Sequence, residues 1–385
     1  EQSVQDAIQA LRDLQDAASQ DDENALTADI EAATKAVADA VENAAAAQEA
    51  ARDAAGKVET APVSNEQGVK DAQQALNDVL DDPASTVAEI EAAQQALEDA
   101  VKTAQDNRDT ANDTADDVIA DAQSGDQAGE PGVQDAITAL QELQNKAATD
   151  DAGALTADID AATKAVTQAI ADAKAAQDAA RDAAGKVETA PVSNESGVKD
   201  AQAALDKVLN DSGATVEEIE DATTALENAV SAVNEARDSA NSNADTAISK
   251  AQGTPQINEP AVQEAVEKLQ TLQKNAANDS ASALTQDILD AIQELSDTVA
   301  EAARDKQEAV LAAENALSQT KPVSNESATA KAISDLQALL ADENSTAEAV
   351  REATKALTAA TASDTTERNA TNADAADAIS DAQAS

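Results

Sequence analysis

The 385-residue chain has no His, Cys, Met, Phe, Tyr or Trp. Each absence removes a class of chemistry. Without His there is no side chain that titrates near neutral pH to serve as a general base. Without Cys there is no thiolate nucleophile, no zinc–thiolate site and no disulfide. Without aromatic rings, single-stranded nucleic acid has nothing to stack on. Basic residues are also scarce: 25 Lys and Arg face 76 Asp and Glu, a formal net charge of −51. Such a charge repels phosphate backbones and anionic bilayers, so neither nucleic acid nor a membrane surface is an expected partner. No uninterrupted apolar run approaches the roughly 20 residues of a membrane span. A chain that opens on Glu1, with neither initiator Met nor signal peptide, reads as an excised or processed piece of something longer. The lack of Cys is compatible with an exported protein built to work without disulfides.

What is present is an apolar share of 42% drawn from Ala, Val, Ile and Leu alone. That set cannot fill a wide core, but it suits narrow seams between close-packed helices. Its order along the chain is repetitive. VQDAIQAL at Val4 returns as VQDAITAL at Val133 and as VQEAVEKL at Val262, each 129 residues on. TADIEAATKAV from Thr27 returns as TADIDAATKAV from Thr156. PVSNE starts at Pro62, Pro191 and Pro322, so the third copy carries two extra residues. A finer period lies inside: VKDAQQALNDVL from Val69 matches the segment from Val4, and IEAAQQALEDAV from Ile90 matches IEAATKAVADAV from Ile30. The unit is therefore about 64 residues and occurs six times, at 1–66, 67–130, 131–195, 196–259, 260–326 and 327–385.

Each unit reads as a short helix followed by a long one. Val4, Ala7, Ile8, Leu11 and Leu14 recur at helical spacing, as do Val133, Ala136, Ile137, Leu140 and Leu143. The other variant is Val69, Ala72, Leu76, Val79 and Leu80. The long helices carry heptads: Ile30, Val37, Ala44, Ala51, Val58; Ile90, Leu97, Ala104, Ala111, Val118; and Ile159, Val166, Ala173, Ala180, Val187. All seven prolines fall between periodic segments, where a missing N–H does no harm. Capping-box spacing opens the long helices at Thr86/Glu89, Thr215/Glu218 and Ser345/Glu348. Gly56 and Gly185 sit where heptad positions are still to come, and fit either a C-terminal cap or a helix interior. A helix of about 33 residues spans roughly 50 Å and a 17-residue one roughly 25 Å. The long helix outruns its short partner, so the next unit must cover its second half. The expected fold is all-α: tandem three-helix bundles sharing long continuous helices, forming an elongated rod. The ends should be the weakest parts, because Asp364 and Thr371 follow Val350 and Leu357 where seam apolars belong.

The stretch from Ser64 to Val101 resembles the FIVAR modules of Gram-positive cell-surface proteins. It carries a short amphipathic helix closing on Val79 and Leu80, an acidic turn and a Ser85–Thr86 cap. Ile90, Ala93, Leu97 and Val101 then follow at helical spacing. Ser193 to Val230 is similar, through Val208, Leu209, Thr215, Ile219 and Leu226. The resemblance implies a three-helix-bundle repeat in the stalk of a large wall-attached adhesin, extracellular, projecting a separate ligand-binding domain. It transfers no functional residue, because the matching positions are core and cap positions.

Candidate sites compete with plainer readings. Asp21, Asp22 and Glu23, or Asp116 and Asp117, could attract divalent cations, yet no segment has the alternating oxygen ligands and central Gly of a calcium loop. Solvated acidic faces explain them. The PVSNE segments (Pro62–Glu66, Pro191–Glu195, Pro322–Glu326) could be recognition loops; the simpler reading is a turn in which Pro stops one helix and Ser or Asn caps the next. Ser and Lys occur without an oxyanion loop. No catalytic, cofactor-binding or metal-binding residue is therefore expected, and the chain reads as a monomeric non-enzyme. The alternatives are an array of helical modules that recognise a host protein or glycan, and an acidic halophilic scaffold.

Overall fold

A computed structural model describes residues 1–20 and 25–384. Among them lie helices α1 (Gln2–Ser19), α2 (Thr27–Ala55), α3 (Gln67–Asp81), α4 (Val87–Ser124), α5 (Pro131–Ala148) and α6 (Thr156–Ala184). There follow α7 (Ser196–Leu209), α8 (Val216–Gln252), α9 (Pro260–Ala277), α10 (Thr285–Ser318), α11 (Ser327–Ala341) and α12 (Ala347–Ala384). A single 3-10 turn covers Pro255–Asn258, and no strand occurs among the described residues. The fold is all-α, with short and long helices alternating as the heptads demand. Every heptad residue named above is buried or half-buried.

The long helices are not of one length. Helices α4, α8 and α12 have 38, 37 and 38 residues, whereas α2 and α6 have 29 each. Gly56 is the C-cap of α2, and α6 stops just before Gly185. In the third copy Glu314 takes the glycine's place and α10 continues to Ser318. Gly56 sits at φ −69°, an ordinary helical angle, so it ends the helix through low propensity and not through a left-handed turn. Val58 lies beyond the helix but still packs against the core through the turn that follows.

One expected cap is displaced. Thr86 accepts from the Glu89 N–H while the Glu89 carboxylate accepts from the Thr86 N–H, as the spacing predicted. At α12 the cap is Thr346, which accepts from the Ala349 N–H; Ser345 is buried with its hydroxyl unpaired. Ser345 aligns with Ser85, so the third copy has lost the glutamate of its capping box.

The chain forms two compact bodies, one of Glu1–Arg181 with Asp211–Glu217, the other of Asp182–Asn210 with Glu218 onward. In the first body two apolar clusters meet on one helix. Ile90, Leu97 and Val101 of α4 pack with Ala51 and Ala55 of α2 and with Val69 and Leu76 of α3. Further along α4, Ala111, Ala115, Ile119 and Ala122 pack with Val133, Ile137 and Leu140 of α5 and with Ile159 and Val166 of α6. At 38 residues, α4 runs about 57 Å through both clusters without a break. The second body repeats the device on α10. Ile288, Leu295 and Ala302 pack with the C-terminal half of α8 and with α9, while Ala309 and Ala313 pack with α11 and α12. Ala at the seam lets helix axes approach closely, so each cluster relies on few large side chains.

The chain's first helices are poorly covered. No residue of α1 is buried, and Val4, Ile8, Leu11 and Ile30 are only half-buried where their later counterparts Val133, Leu140 and Ile159 are fully so. From Thr366 through Gln383, every residue of α12 is exposed.

Candidate functional site

The most heavily built polar sites lie where one unit meets the next, and they begin with a glutamate. Glu1, Glu66, Glu130, Glu195, Glu259 and Glu326 each stand immediately before a short helix. For Glu1, Glu66, Glu130, Glu195, Glu259 and Glu326 alike, the side chain makes no capping bond to its own helix. In five of them, all but Glu326, the carboxylate instead reaches the first turn of a long helix 86 to 90 residues further on. Glu1 accepts from the Val87 N–H at 2.9 Å, Glu130 from the Val216 N–H at 2.9 Å and Glu259 from the Ala347 N–H at 2.6 Å. Glu66 accepts from both N–H and Oγ1 of Thr156, at 2.8 and 2.7 Å, and Glu195 from the same atoms of Thr285 at 2.7 Å each. A carboxylate there answers unpaired N–H groups and the positive end of the helix dipole. The helix is capped in trans, from 86 to 90 residues away.

At Glu66 and Glu195 an arginine completes the junction. Arg108 projects from the middle of α4 and is 5% exposed at its side chain. It donates to Glu66 Oε1 at 2.6 Å and to the carbonyls of Pro62 and Ala147. Arg237 does the same with Glu195, Pro191 and Ala276. Five fixed donors in one plane suit three acceptors contributed by two separate segments, the PVSNE turn and the end of α5 or α9, which a lysine could not match. Burial would push the Glu66 carboxyl's pKa up, but the two hydrogen bonds from Thr156 and then the hydrogen bond and charge of Arg108 hold it below the usual value. Glu195 is lowered likewise, by Thr285 and Arg237 against burial.

A second contact closes each of these junctions. Asp150 and Asp279 have φ of 56° and 54°, the left-handed region glycine favours. They follow the ends of α5 and α9, where the N–H of Asp150 bonds Ala147 O and that of Asp151 bonds Lys146 O, a Schellman turn. Glycine would adopt this turn without strain; aspartate costs about 1 kcal/mol there. The side chain offsets that cost. The Asp150 carboxylate accepts from Ser64 Oγ and the Asn65 N–H, and Asn65 Nδ2 returns a bond to Asp150 O at 2.6 Å. Ser193 and Asn194 hold Asp279 in the same way. Burial raises the Asp150 and Asp279 carboxyls, and the Ser and Asn donors outweigh it, so both are lowered. The PVSNE turn is thus a turn, but its Ser and Asn do not cap α3 or α7. They bind the next unit.

The alternate junctions use an amide. Gln177, 1% exposed, donates to Glu130 Oε1 at 2.8 Å and to Ala214 O at 3.1 Å. Its counterpart Gln48 donates to Ser85 O. In the third copy Lys306 stands at this position and donates to Glu343 O.

The acidic pairs considered above gather no site. Asp116 accepts a single bond from Gln144, Asp117 is exposed, and Asp21, Asp22 and Glu23 lie outside the described residues. Among the described residues no three acidic side chains converge as a metal would require, and no helix is long and apolar enough to cross a membrane. The junction residues leave only a faint trace in the sequence. Arg108, Arg237 and Arg368 recur with the PVSNE spacing in a chain poor in Arg, and a glutamate stands before every short helix. No protein-family model matches this chain, and no curated protein or solved structure is significantly similar to it.

Proposed function

We propose that this chain is a mechanical spacer: tandem three-helix units that share long helices, stacked into a stiff rod within the stalk of a FIVAR-like adhesin. The stalk would stand on the wall of a Gram-positive cell and hold a separate ligand-binding domain away from it. The observation that carries the reading is the sharing of α4 and of α10 between two apolar clusters each. A shared helix leaves no hinge at which neighbouring units could swing. The trans caps support it too, since each ties the start of one unit to a helix of the next. Side-chain chemistry agrees: with no His, Cys or aromatic residue, the chain offers rigidity and solubility and no reacting group. The large negative charge keeps neighbouring stalks from bundling sideways.

The test is functional length. Place the chain between a wall anchor and a small tag-binding domain on a bacterial surface, and measure tag height as 129-residue pairs are removed. Height falling in equal steps is the expected result. Height that stays constant, or submicromolar binding of the tagless chain to matrix or serum proteins, would overturn the reading and favour a binding array.

A further inference from the structure

A groove runs between the C-terminal half of α8 and the middle of α10, both within the second body. Its volume is about 460 Å³, inside the range of about 300–1,000 Å³ typical of small-molecule sites. Leu295, 1% exposed, forms the floor, and the half-buried Ile292, Val299 and Ala247 form the walls. On α10 the lining extends from Ile292 to Ala303, a length of about 16 Å.

The residues here differ from those at the same place one repeat earlier, between α4 and α6. Counting back 129 positions, Val118, Ile170 and Lys174 stand where the groove has Ala247, Val299 and Ala303. Three side chains have shortened, which opens space. Thr163 and Val166 have become Ile292 and Leu295, which makes the floor and wall more apolar. At the mouth, Asp117 and Asp121 have given way to Thr246 and Lys250. Helix α12 also has aspartates at these two positions, Asp377 and Asp381. In a chain with 76 acidic residues, no carboxylate is among the described residues that line the groove. The acidic residues of the two flanking stretches are engaged elsewhere or face away. Asp245 bonds Gln273, Glu294 pairs with Lys268, Asp297 bonds Gln293, and Glu301 is exposed outside the lining. Lys250 is exposed at the mouth and forms no ion pair among the described residues.

We propose that this groove binds a single-chain carboxylate amphiphile, a medium-chain fatty acid, with its tail along Leu295, Val299 and Ala247 and its carboxylate on Lys250. Burial of the tail's methylenes against the apolar walls supplies the affinity. Lys250 supplies the sign: one cation beside a groove without carboxylates selects an anion, where the rest of this chain attracts cations. A single ammonium also matches a singly charged headgroup. A phosphate calls for further donors, and no Arg lies in the lining. The ligand is a free monomer and not a lipid held in a bilayer, because an anionic membrane is repelled by a net charge of −51. The site stands apart from the spacer reading, which needs no ligand. It adds a binding function where composition led to the expectation of none.

The test is methyl NMR of the full chain titrated with decanoate, hexanoate and decyltrimethylammonium. Decanoate should shift the methyl signals of Ile292, Leu295 and Val299 saturably and leave those of Val166 and Ile170 unmoved. Hexanoate should bind at least about tenfold more weakly, because fewer methylenes are buried. Decyltrimethylammonium should also bind at least about tenfold more weakly, although the net charge of −51 favours it. Two variants restore the residues found between α4 and α6: Lys250→Asp, and Ala247→Val combined with Val299→Ile. Each should weaken decanoate binding at least about tenfold, with circular dichroism checking that helicity is kept. The comparison of the two decyl amphiphiles on the parent chain decides the matter even where a variant folds poorly. Absence of a saturable shift, equal shifts at Val166 and Ile170, a cation that binds as tightly as decanoate, or folded variants that bind like the parent would each overturn the proposal.

Discussion

Replacing Arg108 by Met keeps the aliphatic bulk in the middle of α4 and removes the charge and all donors. Three acceptors lose a donor: Glu66 Oε1, Pro62 O and Ala147 O. Removing one member of a buried ion pair typically costs about 3–5 kcal/mol. The lower end is expected here, about 3 kcal/mol, since Thr156 still donates twice to Glu66 and keeps its charge from being orphaned. Arg368→Met supplies the control within the same molecule. It removes the same ion pair from a setting where both side chains are 42% exposed, and a solvated pair contributes about 0–1 kcal/mol. Because a repeat array need not unfold in one step, the assay should be local. Hydrogen exchange of the amides of Val63–Lys70 and Leu155–Ile159 reads the Arg108 junction directly. A loss of about two orders of magnitude in protection there, from ~3 kcal/mol, is expected for Arg108→Met, with distant amides unmoved. Equal effects of Arg108→Met and Arg368→Met, or a loss below about threefold for Arg108→Met, would refute the view that burial at the junction gives the arginine its weight.

Three further outcomes follow from particular contacts. The Glu66 carboxyl is lowered from 4.5, so its stabilisation is complete above that pH and disappears as pH falls through the lower folded value. The stability gap between the parent and Glu66→Gln should therefore be constant from pH 7 to 5 and close in more acidic solution; a gap that widens on acidification would contradict the sign. Thr329 and Asp364 occupy the places of Val69 and Ala104, and the Asp364 carboxylate accepts from the N–H and the hydroxyl of the fully buried Thr329. Thr329→Val alone should cost about 1–3 kcal/mol, and Thr329→Val with Asp364→Ala should recover most of it; additive losses in urea melts would show that the two residues are not coupled. Gly56→Ala should raise stability by about 0.5–1 kcal/mol, since the angles suit any residue and the added Cβ meets only Arg52 O at 3.5 Å. A lower melting temperature would show that the glycine is required for the turn into the PVSNE segment.

The seam was legible because it is periodic. Ile90, Leu97 and Ala111 sit seven or fourteen residues apart, and helical geometry alone places them on one face. The junctions were not, because their partners are separated by 86 to 90 residues and no local pattern joins Glu66 to Thr156. Ser64 and Asn65 illustrate the gap. Both are good N-cap residues beside a helix start, and the local reading assigned them to α3. A strained aspartate in the next unit, Asp150, competes for the same donors and wins. Gly56 was ambiguous for a different reason: the heptad continues through Val58, but the helix does not. Asp364 looked like a defect in the seam. It is half of a polar pair whose other half, Thr329, lies 35 residues away on another helix.

The proposed spacer rests on the claim that consecutive units share helices and so would hold one another in line. Small-angle X-ray scattering of the chain at low concentration and low salt tests it most directly. Six units advancing about 25–30 Å each give a length of about 150–180 Å and a radius of gyration of about 43–52 Å. A radius near the ~21 Å expected for 385 residues folded into one compact globule would contradict it.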